Sequence, residues 1–382
     1  MKPKTKIQKE VFALSKRLPE ITEIQTKYAF RHCFEHVGRR SAKGIVTCTE
    51  CGHQWQGNGA LADTLCGCTC PHCGMELKVH TTRKRVFKEI EYFSMITTCK
   101  GYQVIRFFFA KAYYKVGQPA EYTIDEVAQR WIAPNGKFET IARLRGIAFI
   151  YYDLWQEGSS MEIRRNHRVY DITPACTYPR IRVIPELKRN GFKGEFHNLQ
   201  PFELFCELLK NNQAETLIKT GQYSLLSYFI HHSSKSISTY WNAIRIATRN
   251  GYMVGDAGIW CDYIDLLRYF GKDTNSPKYI CPADLKAEHD KYQNKVRILQ
   301  EQKKRMEQMK RARENEARFR ELKGKFFGLE FTDGTIVVRV LDSVEAYYDE
   351  GNALHHCVGQ CEYYLKPNTL VFSARIENKR VE

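Results

Sequence analysis

The chain has 382 residues, 43% hydrophobic and 13% aromatic, the composition of a folded protein with room for two or three cores rather than one. Lys and Arg number 59 against 43 Asp and Glu, a formal charge of +16, which attracts polyanions, nucleic acid foremost. No apolar run approaches the roughly 20 residues of a membrane helix, and the basic N-terminus lacks the apolar stretch and small-residue cleavage site of a secretory signal, so a cytoplasmic protein without membrane contact is expected.

The elements read as an α+β multidomain chain. Residues 1–43 form an N-terminal helical segment: Ile7, Val11, Leu14, Leu18, Ile21 and Ile24 recur at three- and four-residue spacing over 6–37, with a break at Pro19. A cysteine-rich module follows at 44–80. From 81 to 198 the texture is β-branched and aromatic, as in Tyr102-Gln-Val-Ile-Arg-Phe-Phe-Phe. Lys100-Gly101, Gly117-Gln118-Pro119 and Pro134-Asn135-Gly136 punctuate it, which predicts an antiparallel meander. Residues 199–281 return to helical spacing, with Gly221, Gly251 and Gly271 at the expected stops. A long charged helix is predicted over 282–325, with a thin heptad seam of Leu285, Tyr292, Leu299 and Met306. The last segment, 326–382, reads as a hairpin around Asp333-Gly334, a short helix, and a strand at 369–376: a C-terminal α/β module.

Six of the fourteen cysteines fall between Cys48 and Cys73. Cys48-Thr-Glu-Cys51-Gly and Cys70-Pro-His-Cys73-Gly are two C-x2-C knuckles separated by eighteen residues. Each knuckle sets two thiolates on one side of a tight turn, and the following Gly permits the left-handed conformation that aims amides at sulfur. Cys48, Cys51, Cys70 and Cys73 are therefore the preferred ligands of a structural Zn2+ in a zinc ribbon, with strands around Ile45, Val46 and Trp55 and around Leu77 and Val79. Cys66, Cys68, His53 and His72 are the competing donors. Four thiolates leave no open position for catalysis, so the metal stands in for the core that a module this short cannot build. Lys43, Lys78, Arg83, Lys84 and Arg85 flank the ribbon, and Trp55 is either ribbon core or a surface on which a base stacks.

The second conspicuous stretch is Glu350-Gly-Asn-Ala-Leu-His355-His356-Cys357-Val-Gly359. An imidazolium beside a thiol lowers its pKa, which makes His355, His356 and Cys357 candidate catalytic residues. Neighbours in sequence point in different directions, however, so partners from elsewhere are needed, and a strained turn with a buried Cys is the competing account. The run Tyr348-Asp-Glu-Gly-Asn-Ala-Leu-His-His-Cys-Val-Gly, with Tyr363-Tyr364 and Thr369-Leu-Val-Phe-Ser-Ala-Arg375, resembles the PcfJ family of conjugative plasmids, integrative elements and phages. The CPHCG ribbon, the aromatic meander and Cys281-Pro-Ala-Asp-Leu also fit its larger members. That resemblance implies association with DNA mobilisation, with His355, His356, Cys357, Val358 and Gly359 as the hallmark positions, and it implies a further C-terminal strand where this chain reaches Val381-Glu382, so the module is expected to be truncated.

In 286–325 Lys and Arg outnumber the acids, with Lys303-Lys304-Arg305 and Lys310-Arg311 as local runs. Such a helix either lies along phosphates or serves as a solvated spacer or coiled coil supported by Glu–Lys and Glu–Arg pairs, docking a protein partner through 282–323. No stretch fits GxxxxGK[ST] or GxGxxG, which argues against a nucleotide-driven motor. The resulting expectation is a zinc-ribbon, PcfJ-like protein of a mobile element that contacts DNA or a nucleoprotein complex during transfer or replication. An enzyme built on the His-His-Cys segment and a non-catalytic scaffold are the alternatives.

Overall fold

The computed structural model describes residues 2–81, 83–148, 152–156, 158–164, 172–232, 235–377 and 379–380. The chain divides into two compact units, Met1–Gly258 and Ile259–Glu382, and is mixed α and β in both.

In the first unit, α1 (Lys6–Ser15) and α2 (Glu23–Cys33) each open with a reciprocal capping box, Thr5 with Gln8 and Thr22 with Gln25. The helical pattern read over 6–37 is thus two helices, and the second ends at Cys33 because the chain leaves it as strand β1 (Val37–Arg40). β2 (Ile45–Cys48), β3 (Gln54–Gln56), a short helix α3 (Ala60–Cys66), β4 (Cys68–Thr69) and β5 (Glu76–Thr81) complete a sheet of order β3-β2-β1-β5-β4. Within it β1 runs parallel to β5, Gly38 opposite Val79.

The main sheet is built from β6 (Val86–Cys99), β7 (Tyr102–Lys115), β8 (Glu121–Ile132) and β9 (Phe138–Ala142), an antiparallel meander turning at the three predicted places. The flanking pairs are the hairpin β10 (Arg145–Ala148) and β11 (Tyr152–Trp155), and the edge strands β12 (Glu162–Ile163) and β13 (Cys176–Thr177). β13 pairs parallel to β6.

The continuous apolar run of β7 follows from burial of both its faces. On one face Phe108, Ala110, Ala112 and Tyr114, with Phe93 and Met95, pack on Ala29, Cys33 and Phe34 at α2. Along the same face Val104, Trp131, Ile141 and Ile163 pack on Val11 of α1. A bulge between Phe107 and Phe108 resets the register against β8. On the opposite face the Arg130 guanidinium lies between the rings of Phe107 and Phe202, 5.7 and 3.9 Å from their centroids. Phe202 belongs to the helical half of the unit: α4 (Pro185–Arg189), α5 (Pro201–Lys210), α6 (Asn212–Lys219), α7 (Tyr223–His231) and α8 (Ile237–Arg249).

The chain passes into the second unit within α9 (Ala257–Tyr269). After α10 (Pro277–Ile280) comes α11 (Leu285–Lys323), capped by the Asp284 side chain on the Ala287 amide. Near its start Tyr292 is buried against Tyr263 and Phe270. Near its end Ala312 and Phe319 pack with Val344, Tyr347, Tyr348 and Tyr364. Between these anchors, residues 293–307 are exposed except for Val296, which is half-buried. The heptad seam therefore does not bury as one: Tyr292 is covered, whereas Leu299 and Met306 face solvent.

A four-stranded antiparallel sheet follows, β14 (Glu330–Thr332), β15 (Ile336–Val340), β16 (Phe372–Ile376) and β17 (Lys379–Arg380), in that spatial order, with α12 (Val344–Ala353) between β15 and β16 in sequence. Glu316 of α11 accepts the Val344 amide at 3.0 Å and so caps α12 across the interface. The side chain of Lys323 is buried, its Nζ donating to the carbonyls of Lys366, Pro367 and Thr369.

Buried Arg106 of β7 binds Glu126 through two bonds of 2.7 Å and donates to the Pro19 carbonyl at 2.8 Å, tying the α1–α2 connection to the sheet. Removing one partner of such a pair strands a buried charge. Arg106→Leu is expected to destabilise the first unit by about 3 kcal/mol, read as a lowered urea midpoint with the second unit's transition unmoved.

Candidate metal centre

The two knuckles fold by the same local rule. Gly52 and Gly74 take φ of +76° and +71°, and their amides close back on Cys48 and Cys70 carbonyls at 3.0 and 2.9 Å. The Cys48 amide bonds to the His53 carbonyl and the Cys70 amide to the Met75 carbonyl, both at 2.9 Å. A side chain at Gly52 would also meet the backbone of Gly117 and Gln118 at 2.9 to 3.0 Å, so glycine is required there twice over.

The turns bring Cys48, Cys51, Cys70 and Cys73 together, their Sγ atoms all within 4.8 Å of one another. Cys48 Sγ lies 3.8 Å from Cys73 Sγ, and Cys51 Sγ lies 3.7 Å from Cys70 Sγ. A tetrahedron with metal–sulfur bonds of about 2.3 Å has edges of about 3.8 Å. The cluster therefore already has the dimensions of an S4 metal site, and it is the one such donor group among the described residues.

Burial raises the Cys48 thiol above its ordinary range. At Cys70 burial acts the same way, but donors led by the Cys73 and His72 amides outweigh it and the thiol is lowered. The competing donors stay outside the cluster. Cys66 is exposed and Cys68 half-buried, while His53 and His72 stack on each other, ring centroids 5.3 Å apart.

Glu50, inside the first knuckle, fastens the module to the main sheet. Its carbonyl accepts the Ala120 amide at 2.9 Å, and its carboxylate accepts the Tyr122 hydroxyl at 2.5 Å and faces His36 Nδ1 at 2.9 Å. His36 Nε2 faces the Arg31 carbonyl at 2.9 Å. Both ring nitrogens thus meet acceptors, the pattern of an imidazolium, and the bond to Glu50 raises the His36 pKa. No feature of the local sequence marked Glu50 or His36, because the contact between them spans 14 residues and that from Glu50 to Tyr122 spans 72.

The flanking basic residues Arg83, Lys84 and Arg85 are exposed, with Lys84 Nζ 5.5 Å from the Phe87 ring centroid. In the second unit Lys303, Lys310 and Arg311 are exposed. Lys304 and Arg305 line a cavity of about 600 Å3 between α11 and α12 that also carries Glu301, Glu345 and Asp349. Their charge is thus opposed locally.

The His-His-Cys segment forms the turn that leaves α12. His355 takes a left-handed φ of +58°, and the His356 amide bonds the Gly351 carbonyl at 2.9 Å. A Cβ on Gly351 would meet the His356 carbonyl at 2.7 Å, and one on Gly359 the Tyr348 side chain at 2.7 Å, so both glycines are set by close packing of the turn on α12. His355, His356 and Cys357 are all exposed; Cys357 meets the Cys361 side chain, and no group of three metal-ligating side chains forms here among the described residues.

The buried group here is Glu350. It accepts from Ser373 Oγ at 2.8 Å, Arg375 Nη2 at 3.0 Å and Arg380 Nε at 2.8 Å, and holds α12 to β16 and β17. Sequence reading passed over it, since its partners come from strands more than twenty residues away.

Residues 259–382 match the family model of PcfJ-like proteins, and these bounds coincide with the second compact unit. No curated protein matches the chain, and no solved structure does. No helix among the described residues is long and apolar enough to cross a membrane.

Gly52→Ala forces a Cβ into the Gly117–Gln118 backbone at a left-handed position. It is expected to weaken metal retention at least ten-fold in chelator competition, while Gly74→Ala, whose Cβ would meet open space, costs about 1 kcal/mol of backbone strain and a smaller loss.

Proposed function

We propose that this is a zinc-dependent, PcfJ-like protein of a mobile genetic element, whose N-terminal half holds a zinc ribbon and whose basic surfaces contact DNA or a nucleoprotein complex during transfer or replication. The observation that carries it is the cysteine tetrahedron, with edges of 3.7 and 3.8 Å, set in a chain of net charge +16. Zinc suits four thiolates at this spacing, having no redox chemistry and no geometric demand beyond the tetrahedron.

The metal's role is structural. Module residues Cys48, Cys70 and Leu77 form a buried cluster with Trp55 and Met75 against it, and with buried Val46 and Val79 this is a small apolar core for the module, which a structural metal would supplement. The mobile-element assignment rests on the PcfJ-like match at residues 259–382 and on what the resemblance of the His-His-Cys-Val-Gly run implies. For DNA contact, the run Arg83–Arg85 beside the module is favoured over Lys304 and Arg305, which share their cavity with acids.

Two measurements test this reading. The purified chain should carry one zinc per molecule by elemental analysis, lost in Cys70→Ser/Cys73→Ser. Its binding to DNA in gel shifts should weaken steeply with salt, and the Arg83→Gln/Lys84→Gln/Arg85→Gln variant should flatten that dependence by up to about 3 units of log–log slope. A zinc-loaded chain that shifts no nucleic acid at low salt overturns the DNA assignment.

A further inference from the structure

His53 and His72 come from different knuckles, which are brought together where β2 and β5 both pair with β1 and the four sulfurs converge. Their rings stack at 5.3 Å with an interplanar angle of 19°. His53 in turn lies 6.0 Å from the Trp55 ring at 16°. The three rings form a nearly parallel ladder, anchored where Trp55 packs on the cysteine cluster and open where His72 is exposed.

A basic stretch of chain adjoins the first knuckle. Gly52, next to His53, is in close approach to the Gly117–Gln118 turn. The adjoining Val116 amide bonds the Arg85 carbonyl at 3.0 Å. The backbone that carries Arg83, Lys84, Arg85 and Lys115, all exposed, is thereby joined to the first knuckle through the Gly117–Gln118 turn. At the other end of the β2–β3 ribbon, exposed Lys43 sits in the turn whose Gly44 carbonyl accepts the Gly57 amide at 2.9 Å.

We infer that the His72–His53–Trp55 ladder is a stacking platform for a base of single-stranded nucleic acid, with Arg83–Arg85, Lys115 and Lys43 receiving the phosphates to either side. This rests on the nucleic-acid reading above and names the form of the ligand. A duplex keeps its bases stacked on one another and cannot present a face to His72, whereas an unpaired base can, and ring stacking is tolerant of sequence. Because the ladder spans both knuckles, removing the metal disperses it.

The test uses the zinc-loaded full chain and a short single-stranded oligodeoxynucleotide carrying a fluorescent adenine analogue whose emission stacking quenches. Binding is expected to quench the probe. His72→Ala should lower affinity about five-fold or more and remove most of the quench, His72→Phe should restore both, and zinc content should be the same in all three. A duplex of the same sequence should compete poorly. Binding without quenching, His72→Ala equal to the parent at equal zinc content, or equal competition by duplex overturns the platform and leaves the broader DNA reading standing. Failure to bind any nucleic acid overturns both.

Discussion

Four sulfurs at the corners of a tetrahedron form an arrangement that the polypeptide cannot hold alone. As thiolates they repel; as thiols they leave a core of little more than Val46, Leu77, Val79 and the buried Cys48 and Cys70 to order about forty residues. A divalent cation at their centre would resolve both problems, and much of the first unit is built around the cluster. The knuckles bring Glu50 to face the β7–β8 hairpin, where it takes the Ala120 amide and the Tyr122 hydroxyl. The same carboxylate holds His36 at the end of α2. A module that looks detachable in the sequence is in this way continuous with the main sheet, and its loss would unseat α2 as well.

What could be read from the sequence was what is local in the chain. The C-x2-C-Gly spacing specified both knuckles down to their left-handed glycines, and the Gly and Pro punctuation placed the three meander turns. Parallel pairing was invisible: β1 meets β5 and β13 meets β6 across long connections, and strands of two to four residues carry too little periodicity to announce themselves. Phe107-Phe108-Phe109 marked a strand but not that helices cover both faces of β7. α3 was missed because seven residues between two cysteine knuckles, with Leu61 and Leu65 exposed, show no core-facing stripe.

At the C-terminal end the conspicuous residues and the buried ones are different. His355, His356 and Cys357 draw the eye, yet they lie exposed on a turn, and the positions that the packing dictates are Gly351, Gly359 and Tyr348 around it. The charged groups that leave solvent are Glu350, which gathers Ser373, Arg375 and Arg380, and Lys323, which is held by three backbone carbonyls. Each satisfies a buried charge with several donors or acceptors, the condition under which such groups are tolerated. Both act as fasteners, one joining α12 to the sheet and the other joining α11 to the 366–369 loop.

The middle of α11 has a different kind of constraint. From residue 293 to 307 it buries almost nothing, so nearly any helix-favouring side chain serves there, and pairs such as Arg297 with Glu301 support it from within. Its length is another matter. Each residue of a helix advances the axis by about 1.5 Å and turns it by about 100°. Deleting a single residue would rotate the face bearing Ala312 and Phe319 by that angle relative to the one bearing Tyr292. Substitutions along this stretch should therefore accumulate freely over evolutionary time, while insertions and deletions should survive only in steps close to whole turns, so that the segment keeps phase like a gear shaft while its composition drifts.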